Sequence, residues 1–305
     1  AFKFSPSEKF SIRGSTSTGF RAPSLHQSFF NSTYTDFIAG KPADVILTPN
    51  NGNVAKALGI PTLKQETSQN FSLGFTSKPL PNVSLTIDGY FINVKDRIVL
   101  TGYFSDEDPQ IGSILRKLNV QQASFFTNAI DTRTKGVDVI LTHNAFLGRG
   151  KLNTTFALNL NEQEVLAVHT SPKLKGKEEI YFGEREKLFV SGSAPRMKGN
   201  LTFNYQVNKL GLMLRGVYFG KVEMGTWSGT ASGVPNQIYT PKMTTDVSVS
   251  WRFSEQVLLT VGGTNIFDVY PDKQNPDETE TGGYYEAVQM GFNGAYFFGR
   301  LGLKF

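Results

Sequence analysis

Hydrophobic and polar residues alternate along most of this chain. Val83, Leu85 and Ile87, for example, are separated by Ser84 and Thr86. A period of two places the two kinds of side chain on opposite faces of a β-strand. The same alternation recurs up to the final segment, residues 294–305, and predicts eleven strands in total.

The connections between these strands fall into two alternating length classes. Short polar turns are predicted at residues 6–9, 78–82, 147–150, 208–211 and 254–256. Long connections occupy the gaps, at about residues 23–64, around 106–109, at 163–193, around Trp227 and at 268–291. An outer-membrane barrel has short periplasmic turns and long external loops, whereas a soluble sandwich has no reason to sort them. The pattern predicts an all-β fold, part of an antiparallel transmembrane β-barrel.

An odd number of antiparallel strands cannot close into a barrel, because the first and last strands run in the same direction. Barrels of this type have an even strand number and no free edge. We expect an odd number of strands before Ala1, and eleven more would give 22, the size class of plugged transporters. No signal peptide opens the chain. Residues 1–305 are interpreted as the C-terminal half of a barrel, without its plug domain and first strands.

Composition excludes several functional classes. The chain has no cysteine, which rules out disulfides, thiolate catalysis and cysteine metal sites. Its three histidines, His26, His143 and His169, lack the spacing of metal ligands. No apolar run reaches the roughly 18 residues of a transmembrane helix. No catalytic Ser/His/Asp set and no phosphate-binding glycine loop is visible. The sequence predicts no enzyme activity, no metal site, no cofactor and no nucleic-acid partner. The net charge of +5 is interpreted as an excess of solvated lysine side chains.

Four segments resemble motifs of one known family. Residues 13–25 are similar to a strand that ends in Gly-Phe-Arg-Ala-Pro before an external loop. Residues 63–68 are similar to a Leu-Lys-x-Glu-x-Ser segment, with Gln65 where the family usually has proline. Residues 262–271 contain the Asn-Ile-Phe-Asp signature of a penultimate strand, and Phe305 matches a terminal aromatic residue. In this order, the motifs resemble the C-terminal barrel half of the TonB-dependent outer-membrane receptors.

The resemblance implies a 22-stranded barrel in the outer membrane of a Gram-negative bacterium. Its implied partners are outer-membrane lipid and lipopolysaccharide, its own N-terminal plug domain, TonB through a TonB box in the missing N-terminal part, and an extracellular small-molecule ligand. The family imports scarce nutrients with energy supplied through TonB. Phe305 is implied to be the signal that the barrel assembly machinery reads.

The favoured ligand is a ferric siderophore or another iron chelate. Cobalamin, a glycan or a peptide are the alternatives within the family. Two other classes of protein remain open from the sequence: a soluble all-β binding or adhesion module, and an outer-membrane enzyme barrel.

The candidate ligand-binding residues lie in the external loops and the upper lumen. Aromatic rings stack on bulky ligands, although belts at the membrane interface use the same residue types. Arg21 lies nearest the external end among the inward arginines and is the candidate for contacting an anion. The predicted site consists of Arg21, Tyr34, Tyr103, Trp227, Tyr284 and Tyr285, and the further loop aromatics are Phe29, Phe30 and Tyr239.

Other polar residues are predicted to have structural roles. The inward cations are expected to pair with carboxylates on neighbouring strands or on the plug. The run 106–108 lacks the spaced ligands of a calcium loop and is predicted to be a solvated acidic tip. Asn265 and Asp268 are predicted to bind backbone groups at a strand end while Phe267 packs. The inward cations are Arg13, Arg21, Arg215, Arg252, Arg300 and Lys304.

Overall fold

The computed structural model describes residues 1–38, 41–226, 233–278, 282–286 and 288–305. The described residues form seventeen strands, in chain order β1 (Phe2–Ser7), β2 (Phe10–Arg21), β3 (Ser32–Ile38), β4 (Lys41–Leu47), β5 (Glu66–Leu80), β6 (Val83–Leu100), β7 (Phe104–Ser105), β8 (Gln122–Ser124), β9 (Phe126–Leu147), β10 (Gly150–Val168), β11 (Met197–Val207), β12 (Leu210–Phe219), β13 (Val222–Met224), β14 (Gln237–Tyr239), β15 (Lys242–Arg252), β16 (Val257–Thr264) and β17 (Tyr296–Leu303). Five short helices accompany them, α1 (Leu25–Phe29), α2 (Asn53–Ala57), α3 (Gly112–Lys117), α4 (Glu178–Tyr181) and α5 (Glu184–Ser191).

Eleven of the strands form one sheet, as the alternation predicted. Their order is β1-β2-β5-β6-β9-β10-β11-β12-β15-β16-β17, so that each sheet strand pairs with the next sheet strand along the chain. Every neighbouring pair is antiparallel. The first and last strands therefore run in the same direction. The predicted all-β antiparallel fold is confirmed.

Five tight turns join successive strands at one end of the sheet. They span residues 8–9, 81–82, 148–149, 208–209 and 253–256, inside or next to the predicted turns. Two of them use the left-handed backbone region, with φ of 59° at Gly148 and 52° at Asn208. Glycine and asparagine tolerate this region better than other residues, which is why these two positions reverse the chain so sharply.

The two faces of the sheet differ in polarity. Leu158 lies opposite Val139 on β9 and Gly199 on β11, and Val249 lies opposite Leu212 and Val261. Val249 is 49% exposed, so no second sheet covers this face there. The other face carries residues such as Asn153 and Asn204, which also lie opposite each other. One face is apolar and uncovered while the other is polar, which is the arrangement of a barrel wall between lipid and a wet lumen.

Five long loops lie at the other end of the sheet. We number them in chain order: the first (22–65), second (101–125), third (169–196), fourth (220–241) and fifth (265–295). The strands β6, β9 and β10 contain 18, 22 and 19 residues. Only about 9–11 residues are needed to cross the hydrocarbon region. These strands therefore extend beyond the membrane and carry the loops above it.

The loops have secondary structure of their own, most of which the alternation did not reveal. A four-stranded sheet, in the order β3-β4-β8-β7, joins the first loop to the second through a parallel β4–β8 pair. Within the fourth loop, β13 and β14 pair in antiparallel fashion. The helix predicted within residues 111–118 is present as α3. None of the helices in the described ranges is long and apolar enough to cross a membrane.

Candidate functional site

Two of the sequence motifs meet where β2 ends and β5 begins. Arg21 lies opposite Glu66 in the strand register, and its Nε donates to Glu66 Oε2 over 2.9 Å. The backbone N–H of Ile98 donates to Glu66 Oε1 over 2.7 Å. Arg21 also reaches Gln27 Oε1 at 3.5 Å. The guanidinium of this predicted ligand residue is thus engaged by a buried carboxylate, while its role towards a ligand stays a prediction.

Three of the six inward cations, Arg13, Arg21 and Arg215, pair with carboxylates on adjacent or nearby strands, as expected. Arg13 forms an ion pair with Asp88. Arg215 Nε donates to Asp246 Oδ2 over 2.7 Å, and Asp246 Oδ1 accepts the backbone N–H of Asn265 over 2.8 Å. Arg300 lies over the ring of its own strand neighbour Phe298, 5.9 Å from the ring centroid. Charge pairing of this kind lets a polar face carry cations without net repulsion.

The first three loops share one hydrophobic cluster, which we call the loop core. Phe104 and Phe125 stack with their centroids 5.4 Å apart, and Tyr181 contacts both rings edge-on at 6.2 and 6.4 Å. The Tyr181 hydroxyl lies 2.8 Å from Thr127 Oγ1. Burial raises the pKa of Tyr181, so this phenol stays neutral. The other members of the loop core are Val54, Ala55, Leu58, Ile60, Ile111, Leu115, Val120, Ala123, Ala129, Ile130, Leu174 and Phe182.

Asp108 departs from the predicted solvated tip. Its side chain is only 6% exposed, and Lys177 Nζ from the third loop binds its Oδ2 over 2.7 Å. Its Oδ1 accepts the backbone N–H groups of Gln110 and Ile111, just before α3. Burial alone would raise the pKa of this carboxyl, but these hydrogen bonds outweigh it and hold the pKa below its ordinary value. The prediction was wrong here because the partner cation lies in a distant part of the chain.

Two predicted site residues come together at the junction of the first and second loops. The hydroxyls of Tyr34, on β3, and Tyr103, just before β7, are 3.0 Å apart. Tyr34 remains 42% exposed. The hydrogen bond between the hydroxyls joins the two loops, and a role of either ring in ligand binding stays a prediction.

The fourth and fifth loops are joined by polar contacts. The Tyr239 hydroxyl donates to Gln274 Oε1 over 2.5 Å, and the backbone N–H of Thr240 donates to Asp272 Oδ2 over 2.6 Å. The Gln289 amide donates to the carbonyls of Gly220 and Thr240. Burial, with the negative charges of Glu286 and Asp272, raises the pKa of Tyr239 to about 12. The sequence analysis named Tyr239 among the loop aromatics that could stack on a ligand. In the structure its side chain is fully buried, so its ring is not exposed to a ligand.

Of the remaining predicted aromatics, Phe29 and Phe30 lie exposed at the end of α1, and Tyr284 and Tyr285 lie in the fifth loop. Tyr285 stacks on Tyr270 at 5.3 Å, and Tyr284 is 62% exposed with Lys273 Nζ 5.8 Å from its ring centroid. Trp227 lies outside the described residues. The structure thus groups Tyr34 with Tyr103 and places Tyr284 beside Tyr285, as two separate parts of the external layer.

A cavity between the third, fourth and fifth loops was not predicted. It has a volume of about 570 Å³, and its walls include Phe189 of α5, Met224 and Ile238 of the β13–β14 hairpin, and Gln274 of the fifth loop. Cavities of this size hold organic ligands in other proteins. Its walls come from segments up to about a hundred residues apart in the sequence, so no local motif signals it.

At the end of β16, the penultimate strand of the large sheet, Asn265 and Asp268 bind backbone groups, as predicted. Asn265 binds both backbone groups of Val269, at 2.8 and 3.0 Å, and Asp268 Oδ1 accepts the backbone N–H of Ala295 over 2.8 Å. The adjoining Phe267 does not pack inside, however. It is 70% exposed and lies on the apolar face of the sheet, where the aromatic ring is suited to the membrane.

The family described as TonB dependent receptor-like, beta-barrel, matches residues 1–266. The chain belongs to the TonB-dependent receptors. Members of this family are outer-membrane proteins of Gram-negative bacteria, and the chain has that location. No curated protein sequence matches it.

Solved structures share the fold of this TonB-dependent receptor at low sequence identity. The siderophore receptor PirA from Acinetobacter baumannii is 16% identical, with a TM-score of 0.61. A mutant of the ferric enterobactin receptor PfeA from Pseudomonas aeruginosa is 17% identical, with a TM-score of 0.63. The copper transporter OprC is 14% identical, with a TM-score of 0.62. In each case 99% of this chain is covered, but only 40%, 39% and 38% of the other chain. The chain therefore spans less than half the length of these proteins.

Proposed function

We propose that this chain is the wall and external-loop part of an active transport receptor for a ferric siderophore or another iron chelate, energised through TonB. The observation that carries the proposal is the layer of interlocked external loops, with its cavity, above a sheet whose polar face carries ion pairs such as Arg13–Asp88 and Arg215–Asp246. Such a wall can line a lumen that a plug domain fills. The external loops are the first part of the receptor that a solute outside the cell contacts. Among the similar structures, one is named a siderophore receptor and another a ferric enterobactin receptor.

The complete receptor is inferred to contain more than these residues. Because β1 and β17 run in the same direction, they cannot pair with each other in an antiparallel barrel. A 22-stranded barrel with eleven further strands would remove both free edges. An N-terminal plug would fill the lumen, TonB would contact the TonB box of that part, and Phe305 would serve as the assembly signal. The receptor would have no enzymatic activity of its own.

The proposal is tested by iron uptake into cells. A strain that lacks the gene is complemented with the full-length receptor and given radiolabelled iron as a siderophore complex under iron limitation. We expect accumulation that depends on the receptor and stops when TonB is deleted or a protonophore is added. Uptake of labelled cobalamin, glycan or peptide in place of iron would contradict the iron assignment, and accumulation without TonB would contradict the energised mechanism.

A further inference from the structure

An apolar groove lies on the uncovered face of the sheet, across β10, β11, β12 and β15. It has a volume of about 580 Å³ and is bounded by Leu158, Met243 and Phe267. Two of its lining residues, Gly199 and Gly216, have no side chain, which leaves a depression between the larger neighbours. A Cβ atom on Gly216 would lie only 3.1 Å from Met243 Cε. The groove therefore has the shape and the lining that suit a hydrocarbon chain.

A polar recess adjoins the external end of this groove. The groove and the recess share Met197 and Tyr218 as lining residues. The recess has a volume of about 340 Å³ and lies between the third and fourth loops, which contribute Arg196 and Lys221 respectively. An apolar groove that adjoins a cationic recess matches an amphiphile with hydrocarbon at one end and an anionic head group at the other.

The lengths of two strands place the recess at the membrane surface. β11 and β12 contain 11 and 10 residues. About 9–11 residues cross the hydrocarbon region. Arg196 immediately precedes β11, and Lys221 follows β12 after a single residue. The backbone N–H of Gly220 donates to the Met197 carbonyl over 2.8 Å, so these two strand ends lie side by side. Both cations therefore lie at the depth of lipid phosphate groups.

The charged lining residues of the recess sum to a positive charge. They are Arg196, Lys221 and Glu223. Lys221 Nζ lies 3.5 Å from Glu223 Oε2, and Glu223 Oε1 accepts from the side-chain amide of Asn236 over 3.2 Å. Glu223 therefore offsets one of the two cations. A guanidinium can bind a phosphate through two parallel hydrogen bonds, so the exposed Arg196 is the stronger candidate for the head group.

A second groove on the same face reaches the same arginine. It has a volume of about 1340 Å³, extends from β11 towards β2, and shares Arg196 with the recess. Val137 and Leu160, which lie opposite each other, are among its apolar lining residues. Lys135, paired with Glu162 over 2.9 Å, lines it nearer the external loops. Hydrocarbon chains can therefore lie on both sides of a phosphate at Arg196, which favours a lipid with several chains.

We propose that the two grooves and the recess, together called the lipid site, bind lipopolysaccharide. Its phosphate groups contact Arg196 and Lys221, and its acyl chains fill the grooves. Lipopolysaccharide is the phosphorylated lipid with several acyl chains in the external leaflet of the outer membrane, which the recess faces. A phospholipid with two chains fills only part of the lipid site. A lipid held here joins the third and fourth loops to the membrane surface, whichever nutrient the receptor imports.

The test uses the purified, delipidated full-length receptor and three probes. They are lipid A with two phosphate groups, lipid A with one phosphate group, and dioleoyl phosphatidylglycerol. Dissociation constants are measured by titration with native mass spectrometry. We expect lipid A with two phosphates to bind roughly tenfold more tightly than phosphatidylglycerol, with the singly phosphorylated form between them, because each phosphate adds attraction to the cations.

A double variant tests the recess. Arg196→Gln with Lys221→Gln should weaken the binding of lipid A about ten- to thirtyfold and narrow its preference over phosphatidylglycerol, since two cations at a membrane surface are removed. The matched control is Lys56→Gln with Lys117→Gln, which removes two exposed cations from the first and second loops. It should bind lipid A as the unaltered receptor does.

Gly216→Val tests the groove without a change of charge. The added side chain meets only the flexible end of Met243, and it should weaken the binding of lipid A at least about fivefold because a filled groove must repack before a chain enters. Gly299→Val is the control, since a Cβ atom there has no neighbour within 4 Å. Each variant is first shown to migrate as the folded band on an unheated gel, and the double variant decides the matter if Gly216→Val does not fold.

Two results would overturn the lipid site. Equal binding of lipid A and phosphatidylglycerol would mean that this face accepts any membrane lipid. Unchanged affinity for lipid A in the double variant would mean that the recess does not bind phosphate. Neither result bears on iron uptake through TonB, so the proposed function and the lipid site can fail separately.

Discussion

Single polar side chains connect parts of this protein that are distant in sequence. Asp108 and Lys177 join the second and third loops across 69 residues, and Arg21 and Glu66 join the ends of two strands across 45. In both cases the carboxylate is nearly inaccessible and also binds backbone N–H groups. Hydrogen bonds to ionised groups are among the stronger ones in proteins, so these residues fix how the loops leave the wall.

The Asp108 pair should make the loop layer sensitive to acid. Since the folded-state pKa of Asp108 is lowered, its stabilising effect is fully present above its ordinary pKa of about 3.9 and is lost as the pH falls through the folded value. We expect α3 to lose hydrogen-exchange protection as the pH is lowered below about 4.

Asp108→Asn serves as the comparison for that titration. It should reduce the protection of α3 by about 1–3 kcal/mol near neutral pH and remove most of its acid dependence. An unaltered acid dependence in the variant would show that another group controls these loops.

Glu66→Gln should destabilise the junction of β2, β5 and β6. Glutamine keeps the shape but loses the charge that Arg21 binds, and we expect a loss of about 1–3 kcal/mol. The midpoint of urea unfolding, followed as the change from the fast-migrating folded band on an unheated gel, measures it. Glu107→Gln, at an exposed loop position, is the matched control. Equal midpoints for the two variants would contradict the role assigned to the Arg21–Glu66 pair.

The strands of the sheet could be predicted from sequence, and the folded loops could not. Each wall strand has one face towards lipid and one towards the lumen. Apolar and polar residues therefore alternate along its sequence, as at Val83–Ile87. The loops bury side chains against each other instead. Val54, Phe104 and Tyr181 meet in the loop core from three different loops, and no local pattern records such contacts. Arg13 and Arg215 could be predicted to pair because their partners lie on adjacent or nearby strands, whereas Lys177 finds Asp108 only through the loop fold.

Phe104→Ala should loosen the external loops without opening the barrel. Phe104 is completely buried, and removing such a ring costs about 3–5 kcal/mol. Because the loop core lies outside the membrane-spanning part of the wall, we expect faster protease cleavage in the first three loops. The folded band on an unheated gel should persist. Leu118→Ala, at a 37% exposed position next to α3, should have little effect. Loss of the folded band in Phe104→Ala alone would mean that the loop core also supports the wall.

The two faces of the sheet define how the whole molecule sits in its surroundings. The apolar face is uncovered from β1 to β17, with Phe4 62% and Leu301 61% exposed. A soluble protein rarely exposes a continuous apolar surface of this extent. Members of this family lie in the outer membrane, where lipid covers such a surface. The alternative of a soluble all-β module does not fit the exposure of this apolar face.

A charge on the apolar face should hinder insertion of the full-length receptor. Leu158→Arg or Val249→Arg is expected to cost about 2–4 kcal/mol near mid-membrane. The measurement is the free energy of folding into lipid vesicles, or the yield of the folded band in cells. Asn204→Arg, on the polar face, is the matched control and should insert normally. Normal insertion of the Leu158 and Val249 variants would mean that the faces are assigned the wrong way round.

The contrast between the apolar loop core and the polar contacts of Tyr239 and Gln274 makes the two sides of the external surface respond differently to cold. Burial of hydrocarbon carries a large heat-capacity change and weakens on chilling, whereas exposure of polar groups changes the heat capacity in the opposite sense. Near freezing, we therefore expect the side built on Phe104 to lose more of its cohesion than the side around Gln274. The outermost surface of the protein should then soften first on the side of the loop core.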